Sequence, residues 1–479
     1  MFSATKNNAI LSAWQITLAA RASFPAIFSV NREVLRTYAD IESESSLWMK
    51  KLASFESGDV IAVQIGNNPS WPAILLASLQ LGLVVLPLGM HIERAEYEIA
   101  LNTCRVRGRI GVQNEDLGCD RLDTAPFHWD EPQPDLLKLT SGTTSAPRAI
   151  RFRAHQLLAD AVNICDTMGF GSDDLNFGVI PFSHSYGFSN LITPLLCRGV
   201  SLVCSEDRLP RAILNGLASS DATVFPGMPV FYQKLTESEN SPALPHLRLC
   251  ISAGAPLLKN VAIGFSQKFS LKIHTFYGAS ECGGIGYDVS ETREYEDGFV
   301  GTPMKNVSIQ FREDSGESLI DVRSGAVGDG YFPQPEPGTL CDGIFTPSDL
   351  LENSATGMRV VGRVSDVINV AGRKLNPMEV EAQLLRFPGV RQVIVFGVPS
   401  SLRHEEAVAC IAGTASAADL MTYAHSVLSA WQVPKDIWIV DEIPANERGK
   451  ISRESSDGGW RLGGFHWRCE VGVGVWPHN

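Results

Sequence analysis

The chain has 479 residues, 44% of them apolar and 19% charged, the make-up of an ordinary globular protein with room for about two to four domains. Forty basic side chains against 53 acidic ones leave a formal charge of −13. With no Lys/Arg run in it, that balance argues against a sequence-independent nucleic-acid binder, which shows a basic stripe. Residues 59–65 read as a strand. Asn67-Asn68-Pro69-Ser70 then offer helix-capping side chains, and residues 73–81 and 83–88 follow as a buried helix and a buried strand. This βαβ pattern implies a parallel, covered sheet. Gln80, Gly82 and Pro87 interrupt the most apolar window, residues 73–90, which therefore reads as core and not as a membrane span. Residues 136–139 form a short strand. A second βαβ unit starts near residues 175–180 and runs through 191–196 to 200–203, and residues 222–225 open into Pro226-Gly227. A third unit has strands at 247–251 and 272–276 around a helix from 257 to about 269. From about residue 299, strand-like segments at 307–312 and 318–322 alternate with Gly and Pro turns and predict a small antiparallel β subdomain. The charged stretch from Arg363 to Asp366 marks the expected domain boundary, with residues 1–364 before it and 365–454 after it. Asn376 as N-cap and Pro377 at the first position start an amphipathic helix over 376–385, and 390–398 and 407–412 read as strands.

The most informative stretch is Thr140-Ser141-Gly142-Thr143-Thr144-Ser145-Ala146-Pro147-Arg148. Its first five residues supply four hydroxyls and a glycine, and it ends on a fixed cation. Glycine allows close backbone approach, hydroxyls and N–H groups donate, and arginine adds charge, so the turn can cradle phosphate. It is not a Walker loop, because no G-x-x-x-x-G-K-[ST] spacing occurs. On composition alone a Ser/Thr-rich surface turn competes evenly. Further motifs follow in order: Pro181-Phe182-Ser183-His184-Ser185-Tyr186-Gly187, Ser252-Ala253-Gly254-Ala255-Pro256-Leu257, Tyr277-Gly278-Ala279-Ser280-Glu281 and Pro347-Ser348-Asp349-Leu350. The last are Gly362-Arg363 through Gly372-Arg373-Lys374, then Ile443-Pro444 and Gly449-Lys450-Ile451-Ser452-Arg453.

In this order and at these separations the set resembles the adenylate-forming enzyme superfamily of acyl-CoA synthetases, adenylation domains and beetle luciferases, from about Asp59 to Arg453. The resemblance implies an α/β fold: a large N-terminal domain of βαβ subdomains plus a small β subdomain, followed by a small mobile α+β C-terminal domain. It implies a reaction in which a carboxylate and ATP give acyl-AMP and pyrophosphate, after which a thiol of CoA or of a pantetheinyl carrier takes the acyl group. In that family's pattern Thr140, Ser141, Gly142, Thr143 and Thr144 hold the β- and γ-phosphates with Arg148 assisting. Ser280 meets the α-phosphate and Glu281 the Mg²⁺ ion. Tyr277 and Gly278 lie beside adenine, with Gly254, Ala255 and Pro256 as the turn passing it. Asp349 takes the ribose hydroxyls, and Arg363 makes a second ribose or phosphate contact. His184 closes the acyl pocket, whose walls include Tyr186, Phe188, Met228 and Ile285. Lys450 bridges the substrate carboxylate and the α-phosphate. Gly372 lets a pantetheine arm pass, and Lys374 is a basic residue of the same loop.

The chain departs from the pattern at Ser145 and Ala149, where glycine is usual or common, at Arg148 for lysine, and at Ser365, where the hinge usually has Asp or Lys. No acidic residue lies between His184 and Asn190 to meet a substrate ammonium, which argues against an amino acid. The expected substrate is a fatty or aryl acid and the expected acceptor is CoA. A separate acyl carrier protein as acceptor, an o-succinylbenzoate-type ligase and a catalytically impaired nucleotide-binding relative are the alternatives. Ten dispersed cysteines with no C-x-x-C, and no secretory signal, predict a cytoplasmic protein. Residues 455–479 hold six glycines and three of the nine tryptophans without a helical or strand period.

Overall fold

The computed structural model describes residues 8–113, 116–129, 132–140, 148–312, 318–370, 373–400 and 404–443, and the backbone of 455–456, 459–462 and 465–468. Contacts divide the chain into two compact units, one of Met1–Pro347 with Asn353–Arg359, the other of Ser348–Glu352 with Val360–Asn479. The chain thus crosses between units three times, and the boundary expected after residue 364 falls just beyond the last crossing.

The first unit carries two large sheets. One runs, in order, Val34–Thr37, Pro25–Phe28, Ser201–Cys204, Leu175–Gly178, Val224–Gly227, Leu249–Ser252, Ile273–Ala279, Gly283–Tyr287 and Phe299–Pro303. From Pro25–Phe28 to Ile273–Ala279 neighbouring strands pair in parallel, and antiparallel strands extend both ends. The other runs Gly330–Phe332, Arg148–Phe152, Leu136–Thr140, Val84–Pro87, Val60–Gln64, Val106–Gln113 and Asp116–Arg121. Its three central pairings are parallel, as the βαβ reading requires. Continuous apolar runs make these strands: Val60, Ile61, Ala62 and Val63 are all buried, as is every residue of Val84–Pro87, because helices cover both faces. A separate four-stranded antiparallel sheet contains Val307–Phe311 and Ile320–Ser324, the β subdomain expected there.

The second unit packs the helices Pro377–Leu384 and Ala417–Val427 on a sheet built around the hairpin of Val390–Ser400 and His404–Gly413. Asn376 caps the first helix, its side chain accepting from the Met378 N–H, with Pro377 in the first turn. The tail departs from the expectation of no strand period. Ser455–Ser456, Gly459–Leu462 and Phe465–Arg468 form a three-stranded antiparallel sheet, paired Ser456 to Gly459 and Leu462 to Phe465. The connections are Asp457-Gly458 and Gly463-Gly464, dipeptides that favour two-residue hairpins. Among the described residues no helix is long and apolar enough to cross a membrane, and the described cysteines are free thiols.

Candidate active site

Four neighbouring parallel strands, Leu175–Gly178, Val224–Gly227, Leu249–Ser252 and Ile273–Ala279, end at one edge of the first sheet. In open α/β sheets ligands bind outside the carboxyl ends of the strands. The segments holding His184, Gly254-Ala255-Pro256 and Tyr277–Glu281 all emerge there. Gly254 has φ +88°, the left-handed backbone that glycine adopts without strain.

The His184 loop is held from three directions. His184 caps the short helical turn Ser185–Gly187, its Nδ1 accepting from the Tyr186 N–H at 3.2 Å. The Tyr186 hydroxyl donates to the Ile251 carbonyl at 3.2 Å, and its ring lies 5.8 Å from that of Phe276. A Cβ on Gly187 would sit 2.1 Å from the Pro181 oxygen, so no other residue fits this turn. Asn67, read from sequence as a helix-capping residue, does other work. Its amide donates to the carbonyls of Gly178, Ile180 and Ser205, and its oxygen accepts from the Phe182 N–H, so one buried side chain fixes the approach to His184. The helix that follows, Trp71–Gln80, takes Ser70 as N-cap with no side-chain capping bond.

Ser185 Oγ donates to Ser280 Oγ at 3.0 Å, joining the His184 loop to the Tyr277–Glu281 turn. Tyr277, Ser280 and Glu281 are half-buried and Gly278 is exposed. Glu281 is fixed twice: the Gly328 N–H donates to its carbonyl at 2.9 Å, and the Tyr331 hydroxyl donates to Oε1 at 3.0 Å. Burial, with the Glu281 carboxylate beside it, pushes the Tyr331 hydroxyl well above its ordinary value, so it stays protonated and keeps donating. The face of the Tyr331 ring carries the Arg148 guanidinium, 3.8 Å from its centroid. Arg148 also pairs with Glu336, Nη1 to Oε2, at 2.5 Å. Thr140 lies opposite Arg148 in the hairpin, and its Oγ1 donates to the Arg148 carbonyl at 3.3 Å. The two strands therefore bring together the ends of the Ser/Thr-rich loop. Ser141, Gly142, Thr143, Thr144, Gly372 and Lys450 lie outside the described residues.

In the second unit Asp349 and Arg363, expected to contact ribose separately, pair with each other, Nε to Oδ1 at 2.5 Å. The carboxylate is buried and the guanidinium is half-exposed. The Val364 N–H donates to the Ser348 carbonyl beside them at 2.8 Å. Lys374 is exposed on the strand Arg373–Leu375.

All four expected pocket walls are buried. Phe188 and Ile285 are 1% and 0% exposed, and Phe188 packs edge-on against Trp71 at 6.0 Å. Tyr186 and Met228, at 7% and 8% exposure, belong to the same buried core. The residues that sequence reasoning missed are Ser185, Asn67, Tyr331 and Glu336. Ser185 and Asn67 sat inside quoted stretches, but Tyr331 and Glu336 act across large separations, and no local pattern marks them.

Among the described residues no cluster of three or more His, Cys, Asp or Glu side chains could hold a metal by protein ligands alone. Mg²⁺ is bound by one or two carboxylates together with substrate phosphates. A single fixed, half-buried carboxylate beside a hydroxyl, as at Glu281 and Ser280, fits that ion.

Known proteins resemble this chain in sequence and in fold. The family model of the AMP-binding enzyme matches residues 17–332, and that of the AMP-binding enzyme C-terminal domain matches residues 379–450. The chain belongs to the AMP-binding enzyme family. It is 26% identical over 453 residues to a feruloyl-CoA synthase of Amycolatopsis sp, covering 87% of this chain and 92% of that protein. It is also 26% identical over 349 residues to a long-chain-fatty-acid–CoA ligase of Bacillus subtilis, covering 67% and 61%. Its fold matches the ATP-bound MatB of Rhodopseudomonas palustris with a TM-score of 0.81 at 22% identity, over 92% of this chain and 97% of that one.

Proposed function

We propose that this protein activates a fatty or aryl carboxylic acid with ATP and passes the acyl group to the thiol of CoA. In the first step a carboxylate oxygen attacks the α-phosphorus, forming acyl-AMP and releasing pyrophosphate. In the second a thiol attacks the acyl carbonyl, forming the thioester and releasing AMP. The observation that carries the reading is the convergence of Ser280, Glu281 and the His184 loop at one sheet edge, joined by the Ser185–Ser280 bond. Full-length relatives named as CoA synthases and ligases support it.

A carboxylate is a weak nucleophile and is repelled by a triphosphate, so catalysis needs cations and placement more than a base. Thr140 to Thr144 and Arg148 hold the β- and γ-phosphates. Ser280 meets the α-phosphate. Glu281 holds Mg²⁺, which neutralises phosphate charge when bound. Tyr277, Gly278 and the Gly254–Pro256 turn border adenine, and Asp349 and Arg363 meet the ribose. Lys450 bridges carboxylate and α-phosphate, while Gly372 and Lys374 serve the pantetheine arm. The boundary between the large and small domains lies near residue 364, and the protein works in the cytoplasm.

The test is acid-dependent ATP–pyrophosphate exchange without CoA, across short, medium and long fatty acids, aryl acids and amino acids. Exchange with one fatty or aryl class is the expected result. Folded, ATP-binding protein that exchanges with no acid would overturn the reading. Lys450→Ala should abolish exchange, a loss of about 100-fold or more, while ATP still binds; undiminished exchange would remove Lys450 from the mechanism.

A further inference from the structure

One side chain spans the two large sheets just ahead of His184. The strand Val60–Gln64 belongs to the sheet whose strand Leu136–Thr140 opens into the Ser/Thr-rich stretch. Leu175–Gly178 and Ser201–Cys204 lie side by side in the other sheet. Asn67, three residues beyond Val60–Gln64, is 6% exposed. Its Nδ2 donates to the Gly178, Ile180 and Ser205 carbonyls at 2.9, 3.1 and 3.0 Å, and its Oδ1 accepts from the Phe182 N–H at 2.9 Å. Both ends of the amide are thus engaged, the donor by carbonyls and the acceptor by an N–H.

The backbone alongside is fitted to the same contact. The Asn67 N–H donates to Glu206 Oε1 at 2.8 Å. Gly66 has φ +62°, and a Cβ there would fall 2.2 Å from that oxygen. The Gly178 carbonyl also accepts from the Ser205 N–H at 3.2 Å, which ties the two strand ends together. Helix capping does not account for Asn67, because Ser70 is the N-cap of Trp71–Gln80. Packing does not either. A leucine would fill the place but would strip a partner from three buried carbonyls and one buried N–H. The segment so held runs directly into the His184 loop, where the His184 N–H donates to the Pro181 carbonyl at 3.0 Å.

We propose that Asn67 is a positioning residue: by fastening residues 178–182 to the end of Val60–Gln64, it sets where the His184 loop stands relative to the sheet that carries the Ser/Thr-rich loop. Its consequence for the acid substrate rests on the adenylation reading, whereas the fastening itself does not.

Two variants test this. Asn67→Leu removes all four side-chain bonds. Asn67→Ser carries a hydroxyl too short to span them but leaves room for water to meet the freed carbonyls, so it serves if the leucine protein does not fold. Amide hydrogen exchange is followed over residues 178–188. Acid-dependent ATP–pyrophosphate exchange gives kcat and KM for the acid, and calorimetry gives the dissociation constant of ATP. Amide exchange should speed up about tenfold in that segment, the effect of losing one buried hydrogen bond. KM for the acid should rise about tenfold, while ATP affinity stays within about twofold of the wild type. A purely structural role reads differently: a smaller folded fraction lowers the apparent kcat and leaves KM where it was. That result would overturn the proposal, as would unchanged amide exchange over residues 178–188. Failure of both variants to fold would make Asn67 a stability residue and overturn it as well. If the wild type exchanges pyrophosphate with no acid, the adenylation reading fails, while the amide measurement still decides the fastening.

Discussion

Tyr331 stands between two parts of the site that are held in opposite ways. Its hydroxyl grips the Glu281 carboxylate at 3.0 Å, and the turn behind is tied by Ser185 to Ser280 and by the Gly328 N–H to the Glu281 carbonyl. These are directional bonds from half-buried or buried donors. On its other side the ring face supports Arg148, whose charge is met by Glu336, and that ion pair is 35% and 49% exposed. A cation on a ring face with a wet partner is exchangeable at small cost. On the proposed reading the acidic arm is built before nucleotide binds, whereas the cationic arm holds a carboxylate that phosphate would displace.

If the acidic arm is preformed to hold Mg²⁺, Glu281→Gln should break it most. The replacement keeps shape and removes charge, so ATP–pyrophosphate exchange should fall about 100-fold or more at saturating ATP. A loss smaller than a few-fold would show that Glu281 holds no metal in the reaction. Tyr331→Phe cuts finer, deleting one hydroxyl and keeping the ring under Arg148. It should lower kcat about tenfold and increase the Mg²⁺ requirement, with the dissociation constant of metal-free ATP unchanged. Weaker binding of metal-free ATP by calorimetry would mean that the two arms are not separable.

Much of this architecture is written locally. Buried strands such as Val60–Gln64 and Val84–Pro87 announce themselves as short apolar runs, and the loops at their ends carry Gly, Ser and Pro. The motif at residues 277–281 was legible because its five residues are contiguous. The bonds that hold it were not, because Tyr331 lies 50 residues from Glu281, and Asp160 lies 124 from Gly284. Such pairs depend on which strands become neighbours, a property of the whole sheet. Lys138 was read only as part of a strand, and its neighbours Phe152 and Phe188 come from two different elements. The tail shows a different shortfall. Strands as short as Ser455–Ser456 and Gly459–Leu462 are too brief to show a period, but Asp457-Gly458 and Gly463-Gly464 were hairpin signals in plain view.

The cationic arm predicts the smallest effect and the one of unusual sign. If Arg148 holds nucleotide phosphate as proposed, Glu336 competes with that phosphate for the guanidinium, and neutralising Glu336 removes a competitor. Glu336→Gln should tighten ATP binding about two- to fivefold at low salt, the scale of one partly exposed ion pair. The gain should shrink as ionic strength rises, because screening weakens the Arg148–Glu336 pair in the parent protein. Calorimetric titration of both proteins with ATP at two salt concentrations reads this directly. Binding that is unchanged or weaker in the variant would show that Glu336 supports Arg148 in its working position, which would make the cationic arm as preformed as the acidic one.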